Sequence, residues 1–295
     1  MTVNKANCVA ETDVKVGVLT GTLVEPESSQ HGKTVYLIIA GSGPTDRDGN
    51  QQSIITDTYK KLAQALSQLN IASYRYDKRG VGESKVDGLK EEALTIDTYI
   101  DDAVYVIDWL RKKYPTSKVG VIGHSEGGLI GLAAGLKTDI DTLVLVATPG
   151  RPIDQIILEQ LSARAPQLVN EAEAIIDALK YGENVTHISE SLFQLFRPSA
   201  QAYMKSLLRL DPCSLISQRK GKTQIVQGEH DLQVTKEDAL ALYTDNEKQV
   251  TLRLTDSMNH VLVVVNDNLE DNLASYQNPS LAIHEELINS IIEHA

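Results

Sequence analysis

The run Gly123-His124-Ser125-Glu126-Gly127 places a serine midway between two glycines. A serine hydroxyl is a weak nucleophile, and this spacing is one way a chain makes it usable. The glycines allow a sharp turn from strand to helix, with the serine held exposed at the bend. Gly and Ser each make up about 7% of average sequence, so chance alone gives on the order of 0.1 such matches in a chain this long. The flanks add weight, because the β-rich run 118–122 leads in and the small, apolar run 128–136 leads out. Ser125 would then stand at a helix N-terminus, where backbone N–H groups favour negative charge developing on a bound carbonyl oxygen. The bland alternative is a Gly-rich turn with a structural serine.

An attacking serine needs a histidine base whose other ring nitrogen is oriented by a carboxylate. Around such a turn the chain order is nucleophile, acid, histidine. Of seven histidines, His260, His284 and His294 lie far enough along the chain. The last two fall on an amphipathic segment, 281–294, and read as solvated or satisfied helix residues. His260 falls just after the last β-rich run, at the edge of the sheet where ligands bind. Asp231, in Gly228-Glu229-His230-Asp231, follows another buried run directly and is the preferred acid. Glu229 and Asp256 compete, but Asp256 would share one short loop with His260.

The run 34–40 leads into Gly41-Ser42-Gly43-Pro44-Thr45-Asp46-Arg47-Asp48-Gly49-Asn50. Amides of this loop would join the amide of Glu126 to bind an oxyanion. Read instead as a dinucleotide fingerprint, Gly41-x-Gly43-x-x-Asp46 lacks its third glycine and a prompt helix. Acyl transfer by these residues calls for no metal and no organic cofactor.

Five blocks in order carry a family likeness: 41–49 in the loop above, Tyr76-Asp-Lys-Arg-Gly-Val-Gly-Glu-Ser84, 123–127, 228–231, and Met258-Asn-His-Val-Leu262. With them the chain resembles bacterial α/β-hydrolase esterases near the serine-aminopeptidase and lysophospholipase-like branch. The resemblance implies Ser125 as nucleophile, Asp231 as acid, His260 as base, and the amides of Ser42 and Glu126 as the oxyanion hole. It also implies a small-molecule ester as substrate. Asp46, Arg47, Asp48, Asp77 and Arg79 are expected to pair in a charged network that fixes the oxyanion loop, since buried charges must be paired. Aminopeptidase, thioesterase and lactonase activities are the rivals within the fold, and a non-catalytic binding protein with a hydrolase shell is the rival from another class. An aminopeptidase would need a carboxylate for the substrate ammonium, for which Glu159, Glu171, Glu173, Glu183 and Glu190 are available.

These residues need a scaffold, and the hydropathy pattern supplies one. Short β-branched runs at 14–24, 34–40, 71–76, 118–122, 141–146, 223–227 and 249–254 alternate with helical patterns at 57–69, 95–113, 126–136, 236–243 and 281–294. That alternation predicts a mostly parallel sheet flanked by helices, the α/β-hydrolase fold. A stretch of some seventy-five residues between two strands far exceeds a simple crossover of about a dozen. Apolar residues recur through it at helical spacing, so 152–215 is expected to form an inserted helical lid on a core of 1–151 and 216–295. Both phenylalanines of the chain, Phe193 and Phe196, fall in the insertion three residues apart. They would close over an acyl pocket or pack into the lid core. Segment 266–280, rich in Asn, Asp and Ser, reads as a long surface loop.

A 295-residue chain that is 42% hydrophobic can bury one large core. Its net charge of −12 disfavours nucleic acid and anionic membrane surfaces as partners. Arg111-Lys112-Lys113 reads as a solvated helix end. Cys8 and Cys213 are too few for a disulfide framework and fit a reducing compartment. Residues 1–12 lack an apolar run of signal length, and no eighteen-residue apolar run follows. A cytoplasmic location is expected, while the oligomeric state is left open.

Overall fold

In the computed structural model, which describes residues 10–26, 34–244 and 246–293, the strands are β1 (Ala10–Val16), β2 (Leu19–Glu25), β3 (Thr34–Ile39), β4 (Ala72–Tyr76), β5 (Lys118–His124), β6 (Thr142–Val146), β7 (Lys222–Gly228) and β8 (Val250–Thr255). They form one sheet in the order β1-β2-β4-β3-β5-β6-β7-β8. β1 and β2 are an antiparallel hairpin and every pairing from β4 to β8 is parallel. β3 and β6 are buried at every position, which is what a parallel strand covered on both faces requires and why they read as continuous apolar runs. The strand order reverses around β3, so the carboxyl ends of β3 and β5 flank a crevice suited to a ligand.

Helices α1 (Thr58–Gln68), α2 (Ile96–Lys113) and α3 (Glu126–Ala134) cover the sheet. α2 starts at a capping box in which Thr95 and Thr98 satisfy each other's backbone N–H. It buries Ile96, Ile100, Ala103, Ile107 and Leu110 on one face and ends in Arg111, Lys112 and Lys113, where cations complement the helix dipole. α3 is buried at all nine positions, consistent with its Gly, Ala and Leu content and its place between the sheet and α2.

Between β6 and β7 the chain forms α4 (Ile153–Arg164), α5 (Val169–Lys180), α6 (Glu190–Phe196), α7 (Gln201–Leu207) and α8 (Pro212–Gln218). Ile157, Ile175, Ile176, Leu179, Leu192 and Phe196 form a separate apolar cluster there. Phe196 is fully buried in it, whereas Phe193 is half exposed, and neither lines the cleft beside Ser125. Phe196→Ala is therefore expected to cost about 3 kcal/mol, the low end for a buried ring because a thin layer collapses around the gap. Phe193→Ala should cost little, and neither change should alter acyl-length preference. Urea unfolding and turnover of an ester series check both, and a chain-length shift in a folded variant would return the pair to the pocket.

The remaining helices are α9 (Lys236–Tyr243), α10 (Leu269–Ala274) and α11 (Glu285–Ile292). Two local expectations change. Segment 266–280 holds α10 and a 3-10 turn over Ser275–Gln277, with Asn272 and Ser275 buried, so it is packed structure and not a free loop. α11 is shorter than the apolar pattern suggests, because His284 ends it as the N-cap, its ring Nδ1 accepting from the Glu286 N–H. Of the segment 1–12, residues 1–9 with Cys8 lie outside the described ones, as does His294. Among the described residues no helix is long and apolar enough to cross a membrane.

Candidate active site

Ser125 follows β5 directly and starts α3, with φ 54° and ψ −125°. This is an unfavourable conformation for any residue with a Cβ, costing on the order of 1–3 kcal/mol. Close packing enforces it: a Cβ on Gly123 would lie 2.4 Å from the Gly127 carbonyl, and one on Gly127 would lie 2.3 Å from that of Ile39. The Ser125 N–H donates to the Val146 carbonyl at 2.9 Å, pinning the bend to the end of β6. The Gly128 N–H donates to the Ser125 carbonyl at 2.9 Å, and the N–H groups of Glu126 and Gly127 before it have no intrahelical acceptor.

His260 lies in the loop after β8, in which Ser257 and Leu262 adopt positive φ. Its ring Nδ1 and the Asp231 Oδ2 are 2.7 Å apart, both residues being buried. The other Asp231 oxygen accepts from the N–H groups of Gln233 at 2.7 Å and Val234 at 3.0 Å. Burial pushes the Asp231 pKa up, but the neighbouring His260, the bond to its ring and the two amides outweigh it, and the carboxyl titrates below its ordinary range. The competing acids are placed otherwise. Glu229 is exposed, and exposed Asp256 accepts from the Ser257 N–H at 2.8 Å.

His260 and Ser125 line one cleft of about 70 Å3 together with Gly41, Ser42, Tyr59 and Tyr276. Among the described residues, no Asp or Glu lines it.

Of the five charged residues expected to form a network, Arg47 and Asp77 pair with each other, while Asp46, Asp48 and Arg79 have other partners. Asp46 Oδ1 accepts from the N–H groups of Asp48 and Asn50, each at 2.9 Å. Arg47 donates from its backbone N–H and from Nη1 to the two oxygens of Asp77, each at 2.7 Å. Asp48 accepts from Arg75 Nε at 2.9 Å. Arg79 instead turns away to Asp102 on α2, bonding it from Nε at 3.0 Å and from Nη2. It braces the 77–84 turn against a helix and takes no part in the 41–50 loop.

Several residues that no sequence rule singled out hold the site together. Tyr59 Oη accepts from the Gly41 N–H at 3.0 Å and lies 2.8 Å from His124 Nδ1, while His124 Nε2 lies 2.9 Å from the His260 carbonyl oxygen. One tautomer satisfies all three contacts: Tyr59 donates to Nδ1, and Nε2 carries the proton it donates to His260. Burial and the neighbouring His260 push the His124 pKa down to about 3, so its ring stays neutral. Asn259 donates to Asn272 Oδ1 at 3.0 Å and Ser275 Oγ at 2.7 Å, and Asn272 donates to the His230 carbonyl at 2.7 Å. α10 thus ties the base loop to the acid loop. His124 stood in a motif already singled out; Asn272 and Ser275 were hidden in a composition that reads as loop.

The sheet order and the strained serine at the end of β5 define an α/β-hydrolase fold. The chain belongs to the Hydrolase_4 family, described as serine aminopeptidase S33, whose model matches residues 55–267. It is 29% identical over 260 residues to the esterase EstD of Thermotoga maritima, which covers 86% of this chain and 60% of EstD. A shorter match, 28% over 91 residues, links it to the monoglyceride lipase of Rattus norvegicus, covering 30% of this chain and 29% of the lipase. The chain therefore spans less than two thirds of either relative. Among solved structures, Est1E from Butyrivibrio proteoclasticus is similar at a TM-score of 0.59 and 15% identity, over 96% of this chain and 98% of Est1E. Dienelactone hydrolase from Anabaena variabilis gives 0.55 and 17%, over 97% and 98% of the two chains. At these identities the likeness is one of fold.

Proposed function

We propose that the chain hydrolyses carboxylic esters through a Ser125-His260-Asp231 triad. The observation that carries this reading is the 2.7 Å bond between His260 and Asp231, in a histidine that shares a cleft with the strained Ser125. His260 takes the Ser125 proton as Oγ attacks the ester carbonyl, and the tetrahedral oxyanion forms beside the amides of Ser42 and Glu126. The imidazolium then returns that proton to the leaving alcohol, and water releases the acyl group by the same route. Asp231, kept ionised, fixes the ring tautomer and stabilises the imidazolium.

An ester is favoured over an aminopeptidase substrate because, among the described residues, no carboxylate lines the cleft to receive an ammonium. Two of the acidic residues of the insertion are otherwise engaged: Glu159 pairs with Arg151, and Glu171 accepts from the Ser189 N–H at 2.7 Å. The modest cleft, with Thr45, Gln51 and Thr58 on its walls, suits a short acyl group. The helices of 152–215 act as a lid on the core of 1–151 and 216–295. In support, Gln160 and Arg164 on α4 donate to the carbonyls of Gln233 and Leu232, beside Asp231. The net charge of −12 supports a small molecule over nucleic acid, and the paucity of cysteine supports the cytoplasm.

Competitive turnover of aryl esters, amino-acid anilides and acyl thioesters, with Ser125→Ala as control, tests the reading. Acetyl and butyryl esters should exceed anilides by at least about 100-fold in kcat/KM, since an unpaired ammonium is poorly tolerated at a buried site. Anilides turned over as fast as esters would reverse the assignment.

A further inference from the structure

Lys78, just past the end of β4, is 1% exposed, and the acyl-transfer scheme does not use it. A buried ammonium is costly unless paired and hydrogen-bonded. Its Nζ donates to the Gly41 carbonyl oxygen, lies 3.6 Å from Glu126 Oε1, and stands 5.4 Å from the centre of the Tyr99 ring. Burial lowers its pKa while the Glu126 carboxylate raises it, burial being the larger effect.

The bond to Gly41 has a geometric consequence. No described peptide bond is cis, and in a trans peptide the C=O and the N–H of one unit point in opposite directions. The carbonyl of Gly41 and the N–H of Ser42 belong to the same unit. Drawing that carbonyl to Lys78 therefore turns the Ser42 N–H away from Lys78, which does not line the cleft that Gly41, Ser42 and Ser125 do. The unit is close to the nucleophile, since a Cβ on Gly41 would lie 3.2 Å from Ser125 Cβ. Flanked by glycine, it could otherwise rotate and present a carbonyl oxygen where negative charge must develop. The second proposed donor, the amide of Glu126, belongs to the residue whose side chain faces the same ammonium.

We propose that Lys78 is a positioning residue of the oxyanion hole, fixing the 41–42 peptide with its N–H toward the substrate oxygen and tying it through Glu126 to the start of α3. This rests on the reading of Ser125 as nucleophile. The role belongs to the transition state: Lys78 does not touch substrate, and the donor it aims strengthens its hold as the carbonyl becomes an oxyanion.

The test compares Lys78→Met with wild type in three measurements: kcat and KM for 4-nitrophenyl acetate, affinity for a short aryl trifluoromethyl ketone, and affinity for the matching methyl ketone. The fluorinated ketone adds Ser125 Oγ to its carbonyl carbon, the π pair becoming an oxyanion and the serine proton passing to His260; the methyl ketone binds without adding. Lys78→Met should lower kcat by about 100-fold, the scale of losing one oxyanion donor, and weaken the trifluoromethyl ketone by a similar factor. KM and methyl ketone affinity should change by less than about threefold, since the misplaced donor acts only on the oxyanion. If Lys78→Met does not fold, Lys78→Met combined with Glu126→Gln removes the two charges together and carries the same comparison. A folded variant with kcat within threefold of wild type, or equal loss of both ketones, overturns the positioning role. Wild-type turnover that survives Ser125→Ala would remove the underlying reading instead, and the proposal with it.

Discussion

His260→Ala is expected to lower kcat for a short-chain ester by about 10⁶-fold, and Asp231→Asn by about 10⁴-fold, with KM little changed. The difference in size follows from the geometry. Removing the imidazole leaves Ser125 with no base, and only the oxyanion donors and substrate positioning still act. Asp231→Asn keeps the hydrogen bond to His260 Nδ1 in shape, but the amide presents a donor or a neutral acceptor where a carboxylate now sits. The imidazole tautomer is then wrong or the imidazolium unsupported. Combining either change with Ser125→Ala should add almost nothing, because residues that act as a unit are not additive. Single-turnover kinetics on purified, folded variants makes the comparison, and a His260→Ala enzyme retaining a tenth of wild-type kcat would place the base elsewhere.

Acid should destabilise the fold through His124. Its pKa is near 3 in the folded state and about 6.5 in an unfolded chain, so between these values the unfolded state binds a proton that the folded state does not. Stability is fully present above pH 6.5 and falls as pH drops, by about 1.4 kcal/mol per pH unit and about 5 kcal/mol across the window. Asp231 adds to this at lower pH: its depressed folded pKa contributes stability above its unfolded value, lost as pH falls through the folded one. His124→Gln keeps an acceptor for Tyr59 and a donor for the His260 carbonyl but does not titrate. Its urea midpoint should therefore vary much less than that of wild type between pH 6.5 and 4.5. Parallel curves for the two proteins would mean that His124 is not the group responsible.

The residues placed at the carboxyl edge of the sheet were legible in sequence because their signals are local. Ser125 is marked by two glycines that close packing demands. Asp231 follows the buried β7 and His260 the edge strand β8, and both strands alternate with helices, so their ends could be read from the sequence pattern. What could not be read depends on contacts between distant segments. Asn272 and Ser275 look like loop residues until Asn259 is known to need partners, and Arg79 stands two residues from Asp77 in sequence yet reaches Asp102 on α2. Phe193 and Phe196 are about 60° apart around an ideal helix. The edge of the buried face of α6 falls between them, with Leu192 and Phe196 inside and Phe193 outside. Lys78 was visible in a family-like block, but its role depends on the orientation of a single peptide plane.

The central claim, that Ser125 is a nucleophile activated by His260, is tested most directly by a fluorophosphonate probe and mapping of the modified peptide. One probe should attach per chain, at Ser125, with labelling abolished in Ser125→Ala and slowed by orders of magnitude in His260→Ala. Stoichiometric labelling at another serine, or undiminished labelling of Ser125→Ala, would contradict it.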